Sequence, residues 1–154
     1  MEFTVNPNQN SIDYPLEIKN FNIYKIINQR YPFIFVDKVL DFEKGKSIHG
    51  IKNITQTCPY YLTETGTLPL FVIIELMGQL SEVLLRLSFD LAERRGFLAG
   101  VQGFEINNSY TPYDNLSIKN EMLINTTDMY KTKSTIFTNN HLLCQGVFIH
   151  VFRK

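Results

Sequence analysis

The chain has no tryptophan, only two cysteines and only three histidines in 154 residues. Cys58 and Cys144 form no C-x-x-C pair and share no ligand spacing with the histidines, which argues against a zinc site. They read as reduced thiols, and no motif calls for a metal or another cofactor. An excess of charge of one sign is also missing: fifteen basic side chains balance fifteen acidic ones. With no net positive charge and no Lys/Arg-rich run, a nucleic-acid binder driven by phosphate electrostatics is excluded. Long apolar runs are absent too. The most apolar stretch, Leu68 to Leu80, is interrupted by Glu75 and Gln79 and falls short of the roughly 20 residues of a membrane span. The first residues lack the basic start and apolar stretch of a signal peptide. The expectation is a soluble, cytoplasmic protein that engages neither nucleic acid nor membrane.

What is present suffices for a single core. Hydrophobic residues make up 44% of the chain and charged residues 19%, in a length that suits one domain. Residues 1–20, rich in Asn, Pro and Ser, read as a flexible arm preceding one domain over 21–154. A helical turn is predicted around Ile23 to Asn28, then a strand from Phe33 through Phe42, a turn at Glu43 to Lys46, and a strand over Ser47 to Thr55. Pro69 suits the first turn of a helix running from Leu70 to Leu91, apolar on nearly every face, with Arg94, Arg95 and Gly96 as its stop. Strands are predicted at Phe97 to Tyr110, Leu116 to Thr127, Thr132 to Thr138 and Leu142 to Phe152, with turns at Pro112 to Asn115 and Asn139-Asn140. The pattern implies an α+β fold, an antiparallel sheet wrapped around one long central helix. A helix apolar all round must be surrounded by protein, so a second subunit is expected to complete its cover.

Arg30-Tyr31-Pro32-Phe33-Ile34-Phe35-Val36-Asp37-Lys38-Val39-Leu40 resembles the opening of the 3-hydroxyacyl-[acyl-carrier-protein] dehydratases of the hot-dog fold. Gly45-Lys46-Ser47-Ile48-His49-Gly50-Ile51-Lys52-Asn53-Ile54-Thr55 resembles that family's second strand. Phe97 to Val101 and Pro112 to Leu116 resemble the strand after the helix and the Pro-Gly-Asp-type turn. Order and spacing agree from Ile26 to Val147. The short loop with Leu68-Pro69 before the helix is also similar to a dehydratase-like subgroup from aryl polyene and flexirubin pigment clusters. The resemblance implies elimination of water from a 3-hydroxyacyl thioester on an acyl carrier protein, in fatty acid or polyene biosynthesis, by a homodimer or a heterodimer with another hot-dog protein. It implies no cofactor.

That reaction needs a base at C2, an acid for the C3 hydroxyl, and donors for the thioester oxygen. Glu75 falls on the family's helix carboxylate, and Gln79 also matches, which implies that it helps to bind substrate. Read from the residues alone, a carboxylate among buried apolar neighbours is expensive unless it is paired or hydrogen-bonded, which marks a site. The family's loop histidine is missing from Cys58 to Pro69, where Glu64 stands near its place, and a second family histidine is Gln29 here. His49, His141 and His150 lie in predicted strands and match no family position. Glu64 is therefore the second catalytic candidate, paired with Glu75 if burial raises one of them. Tyr60 and Tyr61, with Thr63 and Thr65, are either donors to substrate or loop packing. Amides from Gly66 to Leu70, at the helix start, are the candidate donors for the carbonyl. Two further readings stay open: a non-catalytic acyl-binding or scaffolding subunit that partners an active dehydratase, and a thioesterase sharing the fold. Arg94, Arg95, Lys131 and Lys133 are candidates to hold an acidic carrier protein.

Overall fold

A computed structural model describes residues 21–107 and 115–154. The arm at 1–20 and the turn over residues 112–114 lie outside the described residues. Six strands, β1 (Lys38–Glu43), β2 (Ser47–Asn53), β3 (Arg95–Ile106), β4 (Asn115–Asn125), β5 (Met129–Thr138) and β6 (His141–Arg153), form one antiparallel sheet in the order β1-β2-β4-β5-β6-β3. Between β2 and β3 the chain forms α1 (Leu70–Ser88), which lies on the inner face of the sheet. This is a hot-dog fold.

Alternation along the strands fixes which face meets the helix. Ile48, Leu116, Ile118, Ile136, Phe148 and Phe152 point inward and are buried, while their sequence neighbours face outward. The turns follow local chemistry. Gly45 adopts φ +73° between β1 and β2, and Asn139 and Asn140 both take positive φ in the two-residue hairpin from β5 to β6.

A polar network lies inside this apolar layer. Asn120 Nδ2 donates to Met77 O at 3.0 Å and Ser81 Oγ at 2.7 Å, Ser134 donates to Asn120 Oδ1, and Thr132 donates to Ser81. All four polar side chains are buried. Because each has a partner, the network fixes the helix against β4 and β5 instead of destabilising the core.

Several expectations require correction. The helix ends at Ser88, not Leu91, because Phe89 turns extended and its N–H closes on Leu85 O. Ser88 Oγ accepts the Gly45 N–H, and the Arg86 guanidinium takes the Leu91 and Arg94 carbonyls. Phe89 and Leu91 are apolar because they pack beside Tyr130 and Phe152, not because they continue the helix. Gly96 is consequently no helix cap. It sits in β3, where a Cβ would come within 2.8 Å of the Phe152 ring and 3.0 Å of Glu82 Oε1. Pro69 is the N-cap, one position before the first helical residue.

The predicted strand at Phe33 to Val36 is instead an extended segment outside the sheet. Together with the 3-10 turn Ile23–Lys25 it covers the side of the helix facing away from the strands, burying Ile23, Ile27, Phe35 and Val36. Much of the cover expected from a second subunit therefore comes from the chain itself. Among the described residues nothing covers the first turn of α1, where Leu70 and Phe71 are exposed.

Candidate active site

The exposed first turn of α1 is where the chemistry-bearing residues gather. Pro69 has no N–H and offers no side-chain cap, and its carbonyl takes the Val72 and Ile73 amides. The Leu70 and Phe71 amides have no acceptor among the described residues. Two unclaimed donors thus point out of the positive end of a 19-residue helix.

One turn onward, Glu75 is half-buried, and its Oε1 accepts a 2.9 Å bond from Gln79 Nε2. The same amide nitrogen donates to Phe33 O at 2.6 Å, while Gln79 Oε1 accepts the Phe35 N–H at 2.9 Å. The Phe35 N–H can only donate, so the amide orientation is fixed: oxygen to Phe35, nitrogen to Phe33 and Glu75. Gln79 is only 1% exposed. Its burial and these bonds aim Glu75 and pin the 33–35 segment to the helix.

An aromatic cluster borders the carboxylate. Tyr60, at φ +65°, directs its ring between Phe33 (5.8 Å), Phe35 (6.0 Å) and Phe71 (5.4 Å, edge-on), and Phe71 precedes Glu75 by one helical turn. Phe33 and Phe71 remain more than half exposed, so the cluster presents apolar surface beside Glu75. Tyr61 is half-buried against the core.

The loop before the helix closes on itself. Leu62 pairs with Thr67, Gly66 N–H donates to Leu62 O at 2.8 Å, and the Thr65 and Thr67 hydroxyls bond at 2.6 Å. The Gly66 amide is consumed inside the loop, with φ +68° shaping the turn; of the expected Gly66-to-Leu70 donors the Leu70 amide is unclaimed at the helix start, and the Phe71 amide lies beside it. Glu64 is exposed in this loop, and no hydrogen bond joins it to Glu75.

The histidines are elsewhere. His49 faces outward and bonds Ser117 Oγ at 2.7 Å; burial pulls its pKa below the usual value, with Lys119 adding to the effect. His141 is exposed in the β5–β6 hairpin. His150 is buried under the helix with an unpartnered Nδ1, and burial lowers its pKa to about 4 against an opposing interaction with the Gly78 backbone. Among the described residues no hydrogen bond joins a histidine to Glu75. Cys144 is buried beside Met77, its thiol pushed up to about 12 by burial, and is unreactive at neutral pH. Cys58 touches Thr55 and the Asn53 carbonyl, neither of which is a base.

Sequence reasoning missed a charged pair farther along the same helix. Arg86 Nε bonds Glu82 Oε1 at 2.7 Å with both side chains nearly buried, Arg86 lies over the Phe152 ring, and Gln29 reaches Glu82 Oε2 at 3.4 Å. The signal was available: i, i+4 opposite charges inside an otherwise apolar helix. Gln29 is thus part of the helix's packing.

Comparisons with known proteins identify the family. The ApeP-like family model, described as ApeP dehydratase, matches residues 21–154. The chain belongs to this dehydratase family. A 3-hydroxyacyl-[acyl-carrier-protein] dehydratase of Caldicellulosiruptor bescii is 28% identical over 134 residues, covering 85% of this chain and 96% of the relative. One from Geobacillus thermodenitrificans is 31% identical over 126 residues, covering 80% and 87%. Among solved structures, the dehydratase heterocomplex ApeI:P from Xenorhabdus doucetiae superposes with a TM-score of 0.73 at 17% identity, covering 86% of this chain and 91% of that one. A hypothetical thioesterase from Streptococcus pneumoniae, solved with coenzyme A, gives a TM-score of 0.60 at 11% identity, covering 75% and 84%. At such identities the structures share the fold. Among the described residues no helix is long and apolar enough to cross a membrane.

Proposed function

We propose that this ApeP-like chain dehydrates 3-hydroxyacyl thioesters carried on an acyl carrier protein, with Glu75 as the group that moves the proton. The observation that carries the reading is the conjunction at the start of α1. A carboxylate aimed by a buried amide lies one turn from two unclaimed backbone donors, beside exposed apolar rings. The thioester carbonyl accepts from the Leu70 and Phe71 amides, which stabilise the enolate as negative charge develops on its oxygen. Glu75 takes the C2 proton, the C3–O bond breaks as the C2=C3 bond forms, and the same proton leaves with the hydroxyl as water. One carboxylate suffices because the proton it takes is the one that it returns. The rings of Phe33, Tyr60 and Phe71 line the entry of the acyl chain, which fits fatty or polyene substrates.

The open edge of β3 is the natural seam for a second hot-dog chain. Its twelve residues contain neither Pro nor Lys, the usual guards of a free edge, and Phe97, Leu98 and Ile106 are exposed along it. That chain is a second copy or a homologue. A second functional reading, in which this chain is the non-catalytic member of a pair, is favoured by one observation: no histidine bonds Glu75.

Following enoyl-thioester absorbance with wild type and Glu75→Gln tests the proposal. Turnover by wild type that falls about 100-fold or more in the variant is expected. A wild type inactive alone, but raising the activity of an added hot-dog dehydratase, selects the second reading. Release of free thiol without enoyl product contradicts both and indicates a thioesterase.

A further inference from the structure

We infer that Ser117, on the outer face of the sheet, is a second catalytic nucleophile with His49 as its base, and that it takes acyl groups from small carboxylic esters. His49 Nε2 and Ser117 Oγ are 2.7 Å apart, and the hydroxyl makes no other hydrogen bond among the described residues. With the ring proton on Nδ1, the Ser117 hydroxyl donates to Nε2, which is the resting arrangement of a serine nucleophile beside its base. Three strands build the group. Asp41 on β1 and Lys119 on β4 each stand opposite His49 on β2, and Ser117 is the preceding outward residue on β4. Burial and the Lys119 charge hold the His49 pKa below its usual value, with Asp41 opposing them, so the ring is a free base at neutral pH.

Room for a substrate adjoins this bond. One cleft of about 440 Å³ is lined by Asp41, His49, Lys119 and Phe137. A second, of about 390 Å³, is lined by Ser117, Asn139 and Asn140 and shares Lys119 and Phe137 with the first. The Ser117–His49 bond therefore spans their junction, with space for an acyl group on one side and a leaving alcohol on the other. Phe137 is half-buried and supplies an apolar wall. Lys119 is exposed and has no ion-pair partner among the described residues, so its ammonium is free to meet a developing oxyanion. A cross-strand bond that served packing alone calls for neither the clefts nor an unpaired cation between them.

The reaction needs no co-reactant but water. Ser117 Oγ bonds to the ester carbonyl carbon as its proton passes to His49 Nε2, and the carbonyl oxygen, now negative, faces Lys119. The bond to the leaving alkoxide breaks, Nε2 returns the proton to it, and the alcohol departs with the acyl group left on Ser117. Water then attacks by the same proton route and releases the carboxylic acid. The site lies on the face of the sheet away from α1, so it is independent of Glu75 and of the dehydration reading.

The test exposes the full chain to a fluorophosphonate probe, finds the modified residue by mass spectrometry, and follows hydrolysis of p-nitrophenyl acetate as a second readout. Expected is labelling of Ser117 and sustained ester turnover by wild type. Ser117→Ala is expected to lose both with Tm retained, and His49→Gln to slow both about 100-fold or more. Glu75→Gln is expected to react as wild type does. Lys119→Ala is expected to slow both about tenfold or more and to move the pH–rate midpoint upward, because a charge that depressed His49 is gone. Of the other residues facing the ring, Asp41 on β1 and Glu121 on β4 both favour its protonated form, and β5 presents the uncharged Thr135. A bond that merely joins the strands would leave no rate to shift. Absence of an adduct, an adduct on another residue, labelling equally fast in His49→Gln, or ester hydrolysis unchanged in Ser117→Ala overturns the inference.

Discussion

The amide of Gln79 divides its hydrogen bonds among Glu75, the Phe33 carbonyl and the Phe35 amide, so one neutral side chain aims the candidate catalytic group and seals the chain over the helix. Replacing it with leucine leaves two backbone groups without partners and Glu75 untethered. Gln79→Leu is expected to lose about 2–4 kcal/mol of stability in urea unfolding and to lower kcat. Gln79→Glu sets a second carboxyl against Glu75, and is expected to shift the acid limb of the pH–rate profile upward, which a packing role alone would not do. His150 gives a separate pH signature. Its folded pKa of about 4 lies below the ordinary 6.5, so between these values the unfolded chain binds a proton that the folded one refuses. Stability from this group is complete above pH about 6.5 and falls as pH drops toward about 4, by a few kcal/mol at most. Thermal melts across that window are expected to show the loss, and His150→Leu to flatten it. At this scale Glu75 was legible because a carboxylate in an apolar run demands a partner. The same logic applies to Glu82 and Arg86, an i, i+4 pair of opposite charge that folding nearly buries. Gln79's role was illegible because its partners are backbone atoms some 45 residues earlier in the chain, which no local pattern encodes.

At the level of elements, period-two alternation and turn chemistry made most strands and the Asn139-Asn140 hairpin readable, while the end of α1 was misread. Apolar periodicity ran on through Phe89 and Leu91, because a residue can be buried by a neighbouring strand as well as by helix packing. Likewise, Phe33 to Val36 reads as a strand from composition, yet its backbone partners are a glutamine side chain and not a neighbouring strand. Gly96 shows what the misreading concealed. With no room for a Cβ between Phe152 and Glu82, Gly96→Ala is expected to cost about 1–3 kcal/mol, measured by chemical denaturation, whereas a helix-capping glycine would have required a positive φ. Asn120→Ala removes the hub between α1, β4 and β5 and strands the Ser134 hydroxyl. Its expected loss is about 2–3 kcal/mol, while the conservative Asn120→Asp, which keeps the acceptor but not the donors, is expected to be at least as damaging.

For the molecule as a whole, the sheet formed by the described residues has two edges, β1 and β3, and of these β3 is both long and unguarded. Light scattering is expected to give twice the 17.9 kDa of one chain, or a one-to-one pair when a hot-dog homologue is supplied. A monomer under both conditions would contradict the proposed seam. The sequence suggested a second subunit on the ground that one sheet cannot enclose a helix. The enclosure is largely internal, supplied by the segment from Ile23 to Val36, and the argument for a partner moves to the bare β3 edge and the open first turn of α1. That open turn, with Glu75 one turn inside it, is the centre of the account. The most direct test hydrates a trans-2-enoyl thioester in deuterium oxide, with the partner homologue present and absent, and reads deuterium at C2 of the product. The account predicts incorporation by wild type and none above background with Glu75→Gln. Incorporation by the variant at the wild-type rate, or none by wild type under either condition, would contradict it.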